Sequence, residues 1–221
     1  MELTITRKEL LFINSITGGP HPFGIVLARP NDNEVDAYKI EAIKSLREKG
    51  ILTESGSFTN SGQALLYLWE EYRSAPKHII FNRILFSING NQNAVGIGYT
   101  EDGNYEILST DSPTILSLFV SVFPFLLKES NKNEFYNAQI TYDEWSQEIT
   151  DAKGSVFIIG RFLNKASNNE NTYYCINNTP YQYNFESSIK REISSGIMYN
   201  KITDYLEVQT VKSDEKEPTL K

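Results

Sequence analysis

A chain carrying the segment from His78 to Leu127 has few ways to fold. Ile79 to Ile88 (IIFNRILFSI) is an apolar run broken by Asn82, Arg83 and Ser87, and predicts one strand buried on most of both faces. Asn89, Gly90, Asn91, Gln92 and Asn93 follow as a turn cluster, since Gly and Asn accept positive φ at little cost. The next strand alternates: Val95, Ile97 and Tyr99 fall on one face, Ala94, Gly96 and Gly98 on the other. The second face is almost bare of side chain, so another element could approach its backbone closely. Glu101 to Asn104 predicts a tight hairpin turn, and Tyr105 and Ile107 open a third strand.

The segment ends in a helix. Ser112 is its expected N-cap and Pro113 its first residue. From Ile115 to Leu127 apolar residues lie around most of the circumference, which predicts a buried core helix. An exposed patch for a partner is the functional alternative. The run falls short of the roughly 20 residues that span a bilayer.

Upstream, Thr6 and Glu9 form a capping-box pattern that starts a helix, and Gly18-Gly19-Pro20 stops it. Asn31 to Asn33 caps a second helix with the stripe Val35, Tyr38, Ala42, Ile43 and Leu46, ended by Gly50. Thr59 or Asn60 caps a third, striped by Leu65, Leu68, Trp69 and Tyr72. Downstream, Ser130 to Asn137 reads as a polar loop, and Thr141 with Glu144 as a second capping box. Val156 to Leu163 and Tyr173 to Ile176 are expected strands. Asn177 to Pro180 turns the chain into Tyr181, Tyr183 and Phe185. Ile189, Ile193, Ile197, Ile202 and Leu206 then predict one long helix.

This is an α+β pattern, and its halves look alike: each has a capped helix, three strands, then a helix. Ile80 to Leu85 (IFNRIL) resembles Ile158 to Leu163 (IIGRFL), which predicts two halves, about 1–129 and 138–211, sharing one sheet in a single domain. A pseudo-twofold would then relate Arg83 to Arg161. Residues 212–221 are charged and contain a Pro, and predict a flexible tail.

A formal charge of −7 over 221 residues argues against nucleic acid or an anionic membrane as the main partner, since both need clustered cations. The single cysteine, Cys175, excludes an internal disulfide and sits in an apolar strand pattern, where a buried thiol is expected. The N-terminal MELTITRKELLF lacks a secretory apolar core, so cytoplasmic residence is the expectation. The two histidines, His21 and His78, lie far apart, and no Cys or His pair has metal-site spacing. Gly96, Gly98 and Gly103 lie within a strand and its turn, so they form no phosphate cradle. Glu70-Glu71 and Glu101-Asp102 read as solvated charge. No catalytic, cofactor-binding or metal-binding residue is assigned. An enzyme would need scattered residues assembled by folding. The string LREKGILTESGSFTNSGQALL has the outline of a winged-helix DNA-binding regulator, yet Ser61 to Glu71 contains no Lys or Arg.

A helix ending in Leu46-Arg47-Glu48-Lys49-Gly50-Ile51-Leu52, a capped helix, then Ile79-Ile80-Phe81 and a Gly-rich strand together resemble the EspG-like chaperones of type VII (ESX) secretion. The likeness covers roughly Glu2 to Leu127. Its acidic, Tyr- and Asn-rich character is closer to the Gram-positive branch with its EsaE-type accessory proteins. The resemblance implies a central antiparallel sheet flanked by helical bundles, with quasi-twofold halves. It also implies a cytoplasmic protein that binds export substrates and brings them to the membrane secretion ATPase, with no membrane insertion. Family contacts involve a sheet hairpin loop and the C-terminal helices, so Asn89, Gly90, Asn91, Gln92 and Asn93 are the expected partner-binding positions, by place in the fold alone. Trp69 and Trp145 lack the Trp-x-Gly pattern of small secreted substrates. Tyr67 and Glu71 match the Tyr-x-x-x-Asp/Glu export signal but lie mid-chain in a predicted helix, where Tyr67 is expected to pack. Both features favour chaperone over cargo.

Overall fold

The computed structural model describes residues 3–19, 21–27, 30–128, 136–152, 156–160 and 171–208. Expectations for 212–221, for Arg161 and for most of the 130–137 loop lie outside that set. Ten strands among the described residues make one antiparallel sheet. In chain order they are β1 (Leu3–Ile5), β2 (Lys77–Phe81), β3 (Ile84–Ile88), β4 (Asn93–Tyr99), β5 (Tyr105–Asp111), β6 (Asn137–Gln139), β7 (Phe157–Gly160), β8 (Asn171–Ile176), β9 (Thr179–Asn184) and β10 (Ile189–Glu192). Their order across the sheet is β1-β5-β4-β3-β2-β7-β8-β9-β10-β6. Read outward from the β2–β7 pair, the two halves follow the same sequence of strands.

The α-helices among the described residues are α1 (Arg7–Thr17), α2 (Val35–Glu48), α3 (Asn60–Ser74), α4 (Ser112–Val122), α5 (Tyr142–Thr150) and α6 (Ser195–Leu206). The first three cover one face of β1 and β3–β5, burying Trp69, Tyr72, Leu85, Val95 and Ile97. Over the second half, α5 covers that same face, closing Trp145 onto Tyr174 and Tyr183. Ile80 of β2 touches both clusters. The opposite face is covered at its centre by α4, a 3-10 turn (Pro124–Leu127) and α6, around Phe81, Phe119, Phe123 and Phe157. Those rings meet edge to face at centroid separations of 4.9–5.8 Å, the arrangement the aromatic quadrupole favours.

Sequence signals explain three of the helix starts, whereas the expected Asn31–Asn33 cap is not made: a 3-10 turn (Asp32–Glu34) precedes α2, which begins at Val35 without a side-chain cap. Both capping boxes form, Thr6 with Glu9 and Thr141 with Glu144, and Thr59 caps α3. Several expectations are corrected. The run Ile79 to Ile88 is two strands, because Asn82 takes a positive φ of 51° and turns the chain. Asn82 is fixed there by Val156, whose N–H donates to its Oδ1 at 2.8 Å. The cap of α4 is Asp111, whose carboxylate accepts from Thr114 N–H, one residue before Ser112. This helix is not buried all round: Ile115 and Phe119 are buried, while Thr114, Ser117 and Ser121 are exposed. Ile189 belongs to β10 rather than to the last helix. Lys190 and Glu192 alternate inward there, and Ser194 caps α6 afterwards. Strand β6 has no signal in its three residues, Asn137, Ala138 and Gln139.

Ile80 and Ile158, matched in the sequence, stand directly opposite each other at the centre of the sheet. The matched strands therefore share one sheet. At Gly96, the space a side chain would need is taken by Leu108 and Phe86, and Gly98 has nothing within 4 Å of where a Cβ would sit. The close approach over the bare face is therefore made by side chains at Gly96 and by nothing at Gly98.

Candidate functional site

The Asn89–Asn93 turn connects β3 to β4 and is where three helices converge. Asn89 N–H donates to Asn93 O at 3.0 Å, closing the turn. Asn91 and Gln92 carry φ of 62° and 64°, a left-handed conformation that Asn tolerates well and Gln less so. Neighbouring helices hold that conformation. Asn89 Nδ2 donates to the carbonyl oxygen of Glu71 at 3.1 Å and to its Oε2 at 2.9 Å, near the end of α3. Ser112 N–H, at the first turn of α4, donates to Gln92 O at 2.8 Å. Gln92 Nε2 reaches Glu207 O, past the end of α6, at 3.5 Å.

The end of α6 is itself fixed to β2. Lys77 Nζ lies 2.5 Å from Glu207 Oε1. The Tyr205 hydroxyl donates to His78 O at 3.1 Å and accepts from His78 N–H at 3.2 Å. His78 is buried, packs on Phe23 at 4.6 Å between ring centroids, and has Nε2 3.3 Å from Tyr72 O. Burial pulls its pKa down to about 4, so at neutral pH it carries no charge.

Gly90, Asn91, Gln92 and Asn93 are exposed, and Asn89 is half-buried. Beside them lies a cleft of about 170 Å³ lined by Tyr67, Leu68, Glu71, Asn89, Asn93 and Val95, among others. The turn offers neutral amide donors and acceptors and no group that moves a proton near pH 7. Its chemistry is hydrogen bonding and contact.

The five expected positions form one loop on which Gly90, Asn91, Gln92 and Asn93 are exposed, while Asn89 turns its side chain to α3. Their supports, Glu71, Ser112 and Glu207, carry no local signal: Glu71 is 18 residues from its partner and Glu207 is 115 from its own. Two expectations about α3 are corrected. Tyr67 does not pack but is 62% exposed at the cleft mouth. Glu70 and Glu71 are not merely solvated, since Glu70 pairs with the buried Arg73 and Glu71 holds the loop. Arg73, the one cation on α3, spends its guanidinium on Asn14, Gly18 and Glu70, so the exposed side of α3 presents no cation to a phosphate backbone. Cys175 is buried with its thiol pKa pushed up to about 12 by burial, which removes the nucleophilic thiolate. His21 is exposed, its Nδ1 3.1 Å from Pro22 O. Among the described residues, no group of three or more His, Cys, Asp or Glu could hold a metal ion, and no helix is long and apolar enough to cross a membrane.

A family model described as a domain of unknown function (DUF5081) matches residues 2–214. No curated protein matches the chain.

Proposed function

We propose, on the premise that this chain belongs to the DUF5081 family, that it is a cytoplasmic accessory protein of type VII secretion. It binds export substrates, acts as their chaperone, and helps deliver them to the membrane secretion ATPase. The observation that carries the reading is the Asn89–Asn93 turn. Three helices fix its backbone in a left-handed conformation while Gly90 and Asn91 face outward. A loop ordered before its partner arrives avoids much of the entropic cost of binding. The resemblance of Glu2 to Leu127 to EspG-like chaperones supports the assignment to secretion, as does an antiparallel sheet covered by helices on both faces. In the proposed mechanism, the Asn91 and Gln92 amides orient a helical substrate by hydrogen bonds. Its apolar tip rests on Tyr67 and Leu68 of the adjoining cleft.

Co-expression with small Trp-x-Gly substrates tests this. A stoichiometric complex on size exclusion is expected. Replacing Gly90 to Asn93 by a Gly-Ser stretch should weaken it at least about tenfold, roughly 1.4 kcal/mol, with the circular dichroism unchanged. Failure to bind any such substrate, or strong salt-sensitive binding to DNA, would sink the proposal.

A further inference from the structure

We propose that Asn89-Gly90 is a self-modification site: the Asn89 amide is lost as ammonia, and the carboxylate left behind releases the loop from α3. This chemistry belongs to the chain itself and proceeds whether or not the loop binds a secretion substrate. Asn89-Gly90 is the one Asn-Gly pair in the 221 residues. Gly90 has no Cβ, so its backbone nitrogen can close on the preceding side chain with little steric hindrance.

Geometry sets this pair apart. Gly90 is exposed, and its N–H makes no hydrogen bond among the described residues. The comparable pair Asp102-Gly103 is arranged otherwise, because Gly103 N–H donates to Thr100 O at 3.1 Å. The attacking nitrogen is therefore free at Gly90 and engaged at Gly103. At Asn89 it is the target that is restrained. Asn89 Nδ2 donates to Glu71 O at 3.1 Å and to Glu71 Oε2 at 2.9 Å, which holds the amide toward α3. Reaction requires that the side chain leave α3 and swing toward Gly90. The two hydrogen bonds to Glu71 are the gate.

Water is the one co-reactant. Gly90 N gives up its proton and attacks Asn89 Cγ, forming a C–N bond. The Cγ–Nδ2 bond breaks, and Nδ2 departs as ammonia with a proton that replaces the one Gly90 released. A five-membered succinimide remains. Water then adds at Cγ and gives aspartate, or adds at the Asn89 backbone carbonyl and gives isoaspartate, with the chain routed through Cβ. Either product exchanges an amide donor for a carboxylate, which at neutral pH only accepts. Where Nδ2 met Glu71 Oε2 at 2.9 Å, two like charges then face each other, and the bond to Glu71 O is lost as well. The loop comes away from α3, and no step restores the amide.

The test ages the folded full chain at mildly alkaline pH and follows peptide masses with time. The peptide holding Asn89 should gain about 1 Da before any other Asn-containing peptide does, as a mixture of aspartate and isoaspartate. Gly90→Ala should slow the gain at least about tenfold. A Cβ there meets nothing within 4 Å and Gly90 does not have a positive φ, so the loop itself tolerates the change. Glu71→Ala removes one of the two acceptors and should speed the gain at least about threefold, with the circular dichroism unchanged. In Asn89→Asp, made directly, the main-chain amide of position 89, which closes the turn onto Asn93 O, should exchange its hydrogen at least about fivefold faster than in the parent chain. A mass gain that comes first at another Asn, an unchanged rate in Gly90→Ala or in Glu71→Ala, or parental exchange in Asn89→Asp would each overturn the proposal.

Discussion

His78 links one side chain to the pH dependence of the whole fold. Its imidazole is buried against Phe23 and Tyr72, and burial holds its pKa near 4 in the folded chain against 6.5 when exposed. Below pH 6.5 the unfolded chain takes up a proton that the folded one refuses, so stability falls as pH drops from 6.5 and levels off below about 4. At about 1.4 kcal/mol per unit, the full loss across that window is on the order of 3–4 kcal/mol. Urea midpoints at pH 7 and pH 4.5 should differ accordingly, and His78→Gln should flatten the difference. Glu9 behaves in the opposite sense. Burial pushes its carboxyl up, but hydrogen bonds from Lys49, Ser45 and the Thr6 backbone outweigh that and hold it below the usual range. Glu9→Ala strands the Lys49 ammonium at a half-buried contact and removes the α1–α2 brace. A loss of about 3 kcal/mol in the unfolding free energy is expected by urea titration.

Among the elements, α3 offers a case where helix propensity and packing disagree. Replacing a mid-helix Gly by Ala ordinarily stabilises by about 1 kcal/mol. A Cβ on Gly62, however, would lie 2.2 Å from the backbone oxygen of Ile51. Gly62→Ala should therefore destabilise by about 2 kcal/mol or more, visible as a lowered Tm. Helix starts were the most legible features in the sequence, because Thr6, Thr59 and Thr141 cap through contacts three residues away. The Asn89–Asn93 turn was legible as a turn, and Asn91 takes the positive φ its residue type tolerates, but the second positive φ falls on Gln92 and not on Gly90, which the composition did not signal. Less legible were elements defined by distant partners. The Ile79–Ile88 run conceals a hairpin because Asn82 turns only with Val156 beside it. Ile189 keeps a helical spacing with Ile193 and Ile197, yet β9 recruits its segment as a strand. The three residues of β6 are a strand only because β10 lies alongside. At the candidate site the loop was readable and its supports were not, since Glu71 and Glu207 reach it only in three dimensions.

At the scale of the whole molecule, the β2–β7 pair is the seam on which both halves depend. Ile79, Phe81, Phe157 and Ile159 are all buried there, beneath α4 and α6. Far-ultraviolet dichroism and Trp fluorescence should report the same unfolding transition, although Trp69 and Trp145 sit in different halves. A chain ending at residue 129 would leave β2 bare along its apolar length and should aggregate rather than stay monomeric on size exclusion. The outer borders of the sheet are built in the opposite way. β1 and β6 have three residues each, and β6 carries Asn and Gln. Such stubs give a visiting peptide too few main-chain groups to zip onto. On a surface closed in this manner, the side chains of turns and helices, and not the sheet's main chain, are what a contacting molecule meets, and the sheet offers no template for further growth.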